Sequence, residues 1–344
     1  MVWPENTWKT MSEKSLENRI SGFYTSDCSV RNRNMFYFIL YEDYTRWPES
    51  KWDPNSSGFP FETDIEKRIL IWVRGESEAK QWSHQSLTGV YHMFGDSCVK
   101  PKSQFVGVGG PIVYSIGSGE KGFENDIPYF EDGGPFRGAI IKSRCIDGWL
   151  YVCGGNNSLG KRLANGDWYS FTKQIPNPKR SDRLSNSFYD VDGFSENEIY
   201  VAADTGKVYC FNGTDWQMKT LPTDGNFQSL CCAGDGFVYV SGMHGATYKG
   251  RGDQWKCLYK GHLETDPMPG MLLGFHDMVW YEDRVWCTSD YGLWTIKDDR
   301  LEEADVPGFV HGCMGNLSVA DGVLLLAGHG GAAFLENGQW HAIY

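Results

Sequence analysis

The chain has 344 residues, of which 15% are aromatic, 22% are charged and 41 are glycine, with a formal net charge of −12. That length fits two domains or one large all-β domain, and the mixture favours many short strands and tight turns over helix or disorder. The acidic balance excludes a non-specific nucleic-acid binder and disfavours an anionic membrane surface, while it suits a basic partner.

The first stretch, MVWPENTWKTMSEK, has neither a basic n-region nor an apolar h-region, so it is not expected to be a signal peptide. No apolar run approaches the length of a membrane span. Within it, ENTWKTM has the pattern of an outer strand and is expected to cover a sheet edge. MFYFILYED, around Tyr37, then leads through a long insertion, Tyr41 to Lys67, into EKRILIWVRGESEAKQW and Trp82. The insertion carries Tyr44, Trp47, Trp52, Phe59 and Phe61 among Pro, Ser and the acidic Asp53, Glu62 and Asp64. A disordered linker would not hold so many aromatics. They either pack on the rim of the fold or form an aromatic binding surface.

QFVGVGG follows, with Val106 standing where Tyr37 stood, and PIVYSIGSGEKGF ends at Phe123. From there the repetition is plain. Short apolar segments centre on Tyr151, Tyr200, Tyr239, Trp286 and Leu325, each with a turn residue three positions earlier: Gly148, Asn197, Gly236, Asp283 and Gly322. Three of these turns read Asp-Gly, a strong hairpin signal. Fifteen to seventeen residues beyond each centre comes Trp168, Trp216, Trp255, Leu301 or Trp340. Successive centres are 49, 39, 47 and 39 residues apart, the period of propeller blades rather than of helical solenoids.

The expected fold is therefore all-β: a single β-propeller over 1–344, built of four-stranded blades. Seven blades are expected, at roughly 19–86, 87–128, 137–176, 184–222, 226–261, 273–306 and 310–344, or six if the first unit is irregular. A lone blade cannot bury both its faces, so the recurrent Trp should fill the gap to the next blade. Trp168, Trp216, Trp255 and Trp340 are accordingly expected to be largely buried. The last unit contains four strand-like segments, so the C-terminal stretch alone can build it.

Of ten cysteines, eight lie in or beside apolar runs and none forms a Cys-x-x-Cys pair. They read as small hydrophobes in a reducing compartment, with no metal, disulfide or cofactor implied. A soluble cytoplasmic protein is expected.

The loops between the second and third strands of the blades hold Gly109–Gly110, Asn156–Asn157, Asp204, His244, Asp290–Tyr291 and His329. His244 and His329 occupy matching positions of two blades. They either join a metal or general-base ring about the axis, or cap loop backbone and face solvent. His276 and His311 stand at the starts of first strands and invite the same two readings. Two further long loops are 173–187, basic and containing Arg180, and 261–275, with Met268, Met271 and Leu272 after acidic residues. Long ordered loops of this kind usually bind something. No Gly-x-Ser-x-Gly, Walker-type loop or His-Glu-x-x-His occurs.

LYVCGGNNSLGKRLANGDWYSFTKQIP, with Gly154–Gly155 and then Trp168, resembles a kelch repeat, and IYVAADTGKVYCFNGTDWQMKTLP shares its later Tyr, Trp and Leu-Pro. The diglycine is absent after Tyr200, Tyr239 and Trp286, and the signatures of WD repeats and sialidase aspartate boxes are not met. An acidic propeller of degenerate repeats also resembles the immunity proteins of bacterial toxin systems. That resemblance implies a non-catalytic protein that occludes a toxin domain with a basic surface, using an acidic, aromatic-bearing loop face. The alternative is a glycan lyase or hydrolase with an axial pocket built from His244, His329 and Asp290. Three ionisable side chains converging in one pocket would favour the enzyme; a flat acidic and aromatic rim would favour the binder.

Overall fold

The structure, a computed structural model, describes residues 11–48, 51, 59–175, 187–223, 225–261 and 272–344. Its turns follow from local chemistry. Asp147–Gly148, Asp321–Gly322 and Asn337–Gly338 pair φ values of 50° and 81°, 51° and 75°, and 51° and 74°. Two consecutive left-handed residues make the two-residue turn whose twist matches that of antiparallel strands, and Asp, Asn and Gly tolerate it best. Seven sheets result, each of four consecutive antiparallel strands. They occupy 23–87, 93–123, 140–170, 188–220, 227–260, 277–303 and 315–342. This is a seven-bladed β-propeller, with strands here lettered a to d outward in each blade. Helix among the described residues is confined to Glu13–Arg19, Glu78–Gln81 and short 3-10 turns.

The contacts divide the chain into two units. One comprises 1–93 and 306–344, holding the first and last blades; the other, 94–305, holds the five between. Within the first unit the two blades pack directly. Phe36 meets Phe334 at 5.4 Å, and Tyr344 meets Phe38 at 5.3 Å and Trp82 at 6.1 Å. Thr25 Oγ1 and Tyr344 Oη are 2.6 Å apart. At the rim the buried Glu336 carboxylate takes Arg33 and Arg74, each at 2.7 Å. No blade in this unit borrows a strand, because Gly315–Ala320 through Gln339–Ala342 complete the last sheet alone. Met11 is buried in the same cluster. Of ENTWKTM only that residue lies among those described.

All seven aligned centres lie on strand b and are buried: Tyr37, Val106, Tyr151, Tyr200, Tyr239, Trp286 and Leu325. The recurrent Trp stands at the start of strand d in a gap between blades, as expected, but it faces the preceding blade rather than the next one. Trp82 packs among Leu325 and Phe334, and Trp168 among Val106 and Ile127. Trp216 and Trp255 join the equivalent clusters. Their burial differs from expectation. Trp82 and Trp168 retain 2% and 8% of their exposure, whereas Trp216, Trp255 and Trp340 are only half-buried. Strand d is the outermost, so one edge of the ring stays in water unless a neighbouring loop covers it.

All ten cysteines are free thiols, six of them buried. His276 immediately precedes strand a of the sixth blade, Asp277–Tyr281. His311 does not begin a strand; it lies in the 3-10 turn Val310–Cys313, ahead of Gly315.

The inner strands carry a feature that the repeat does not announce. Strands a of adjacent blades share no ladder among the described residues, so N–H groups on their free edges need other acceptors. Aspartates supply them. Asp96 accepts from Cys145 N at 2.7 Å, Asp190 from Leu230 N at 2.9 Å, and Asp192 from Cys232 N at 2.8 Å. Arg144 then reaches Asp190 and Asp277, both at 3.2 Å, and Lys142 reaches Asp277 at 3.1 Å. Three inner strands of the second unit are thereby tied by charge.

Two outcomes are expected. Trp82→Ala and Trp168→Ala should each cost about 3–5 kcal/mol, the range for deleting a core aromatic, and half-buried Trp216→Ala about 1–3 kcal/mol. Urea denaturation would reveal the ranking; equal costs would contradict the gap-filling account. Burial also pushes the Asp192 carboxyl up to about 6, against the pull of Arg144 and two backbone N–H donors. A raised folded value means that the native state binds this proton more tightly. Its contribution is thus favourable below the ordinary carboxylate range and is lost as pH rises towards 6. Asp192→Asn should flatten the dependence of melting temperature on pH between about 4 and 6, and an unchanged slope would refute the assignment.

Candidate functional site

Both ends of the insertion of the first blade lie among the described residues. After strand b, Met35–Glu42, the chain makes a 3-10 turn, Tyr44–Arg46, capped by Asp43. The Asp43 carboxylate accepts from Thr45 N at 3.2 Å and from Arg46 Nε at 2.9 Å. Its pKa is lowered, mainly by the Thr45 hydroxyl. Tyr44 and Trp47 are half-buried, edge to face at 6.4 Å, and the Lys51 ammonium lies 3.9 Å over the Trp47 ring. These two aromatics pack against their own loop.

Phe59 and Phe61 do not. They are 69% and 72% exposed, followed by half-buried Glu62 and exposed Asp64. Glu62–Asp64 forms a second 3-10 turn. Beneath it lies Lys67, the first residue of strand c and 0% exposed. Its ammonium binds the Glu62 carbonyl, lies 3.5 Å from the Glu62 carboxylate and sits 4.6 Å over the Tyr41 ring. Tyr41 Oη donates to the same carboxylate. Burial lowers the Lys67 pKa, with Glu62 opposing.

The loop side of the first unit continues as an aromatic stack. Tyr24 stacks on His329 at 4.3 Å and on Tyr41 at 5.5 Å, and the His92 ring lies 5.2 Å from Tyr41. Burial raises the Tyr24 pKa, and the Glu62 charge adds to it. His329 thus meets a tyrosine rather than another histidine.

In the second unit, Asn156 and Asn157 have φ of 55° and 57° and form the tight turn between strands b and c of the third blade. Asn156 Nδ2 donates to the Arg137 carbonyl at 3.1 Å. Asp204 is buried and accepts from Ser187 N. Gly110 has φ 63° at the matching turn of the second blade. Asp290 bonds His276 Nε2 at 2.8 Å, and Gln228 lies 3.4 Å from Nδ1 of that ring. His244 is exposed; Met243, Leu272 and Tyr291 add apolar surface. His244 and Asp290 belong to this unit and His329 to the other. Among the described residues no three His, Cys, Asp or Glu side chains are placed to hold a metal ion. Trp52, Asp53, Arg180, Met268 and Met271 lie outside the described residues.

Lys67 and Tyr24 are the residues that sequence reasoning missed. A signal for Lys67 was present: a lysine at an inward position of the apolar strand KRILIWV, which a solvated lysine would not occupy.

No helix among the described residues is long and apolar enough to cross a membrane. No protein-family model matches the chain, so the kelch likeness rests on its repeat residues alone. The chain is 28% identical over 239 residues to Immune protein Tsi7 of Pseudomonas aeruginosa, covering 70% of this chain and 74% of that one. Among solved structures, it is similar to a catalytically inactive virginiamycin B lyase from Staphylococcus aureus with quinupristin. The TM-score is 0.61 at 9% identity, over 91% of this chain and 94% of the other. It is also similar to YCF48 bound to D1 peptide, with a TM-score of 0.58 at 11% identity over 91% and 93% of the two chains. At such identities these structures speak for the fold alone. The chain is a seven-bladed β-propeller similar in sequence to an immune protein.

Proposed function

We propose that the chain is an immunity protein, which binds a toxin protein and occludes it without catalysis. The observation that carries this reading is the likeness to an immune protein over 239 residues, more than two thirds of each chain. The insertion of the first blade offers a suitable surface: exposed Phe59 and Phe61 beside Glu62 and Asp64, and half-buried Tyr44 and Trp47 in the same insertion. Aromatic anchors dominate binding energy, while charges mainly set the rate of association. A net charge of −12 favours a toxin with a basic surface. Ten free thiols suit the cytoplasm, where such a protein would protect the cell that makes it.

The test is capture followed by rescue. The tagged chain is expressed in its source cells and its partners are identified by mass spectrometry. Each captured protein is then expressed in a sensitive host, with and without the chain. One partner should arrest growth alone and not when co-expressed; a partner whose toxicity is unrelieved, or no toxic partner, would overturn the reading. Trp47→Ala should weaken that complex by about 1 kcal/mol. Asp64→Asn should chiefly slow association and lessen its salt dependence, as stopped-flow mixing would report.

A further inference from the structure

An exposed phenylalanine is common enough singly, but two in three residues on a fixed segment call for a physical reason. Segment 61–65, which carries Phe59 ahead of its start, is fixed at three points. The Lys67 ammonium and Tyr41 hydroxyl hold Glu62, Gly89 N donates to the Thr63 carbonyl at 3.0 Å, and Ile65 is buried. Asp64 N donates to the Phe61 carbonyl at 2.9 Å and closes the turn. Removing a lysine from water costs several kcal/mol even when it is paired. Strand c would be more stable with an apolar residue there. What the lysine does provide is a carbonyl and a carboxylate of one loop residue gripped by one cation, which sets the direction of the chain leaving Phe61.

We propose that Phe59 and Phe61 form a preorganised hook that enters an apolar cleft of the partner protein, with Lys67 as its positioning residue. The cleft is rimmed by Lys or Arg, which meet Asp64 and the outer edge of Glu62. The Glu62 side chain keeps 39% of its exposure although its carboxylate is engaged from below. Charge complementarity supports a basic rim, since the segment itself ends in acidic residues on a chain of net charge −12. Preorganisation matters because a loop ordered only on binding loses affinity to the entropy of ordering. This proposal rests on the immunity reading, and it adds the chemistry of the contact and the residue that aims it.

The experiment uses the full chain and the toxic partner obtained by capture with the wild-type chain, purified and titrated by biolayer interferometry. Phe59→Ala/Phe61→Ala should weaken binding about thirtyfold or more with an unchanged melting temperature. Lys67→Met should leave the melting temperature equal or higher, because a buried charge is gone. It should nevertheless weaken binding about tenfold, mostly through slower association, as expected when a bound conformation is no longer held in advance. Amide exchange should accelerate in 59–66 only. A purely structural lysine would do the reverse, lowering the melting temperature and sparing association. If the double phenylalanine variant binds and rescues as the wild type does, the hook is wrong while the immunity reading stands. If Lys67→Met keeps both affinity and amide protection, the positioning role is wrong. If no toxic partner is neutralised by the wild-type chain, both fail together.

Discussion

Within each unit the four-stranded sheets share no ladder among the described residues, so side chains crossing the gaps between neighbouring blades carry most of their cohesion. Apolar rings and branched chains pack in these gaps, and every strand b presents a buried apolar residue at the same register. Near the axis the strands come together with N–H groups that no strand can satisfy, and carboxylates take over. Asp96, Asp190 and Asp192 act as single-atom substitutes for a missing strand partner. Arg144 and Lys142 then balance charge that would otherwise be stranded in a dry interior.

The rim depends on the same constraint in a looser form. Strand d is the last strand of each sheet, and the Trp series at its start is uniform in position but not in burial. Where the neighbouring blade comes close, as beneath Trp82, the ring is enclosed. Where it does not, the ring keeps a wet edge.

The legible parts of the sequence were the local ones. Asp-Gly turns, the spacing of Tyr151, Tyr200 and Tyr239, and the Trp that follows each depend on a few adjacent residues, so a single chain displays them. Partnerships between distant residues were not legible. Arg144 pairs with Asp277 across 133 positions, and nothing in SRCIDG distinguishes such an arginine from a solvated one. The candidate loop was legible as a loop rich in aromatics, but composition could not separate Tyr44 and Trp47, half-buried against their own loop, from Phe59 and Phe61, which face water. His244 and His329 do both lie between strands b and c of their blades, but the stacking of Tyr24 on His329 could not be read from the repeat. The asparagine pair at 156–157 is accounted for by backbone conformation alone.

Each sheet is made from one continuous stretch of chain, and this bears on the order of assembly. A ribosome releases the blades one at a time, and each has all four of its strands as soon as it emerges. The first blade, with Lys67 already bound to Glu62, is then complete long before the last blade exists. Its flank of Phe36, Phe38 and Trp72, which later packs against Leu325 and Phe334, stays bare throughout that interval. Translation of the five intervening blades sets the length of that interval, and the joining of the last blade to the first is the event that ends the exposure.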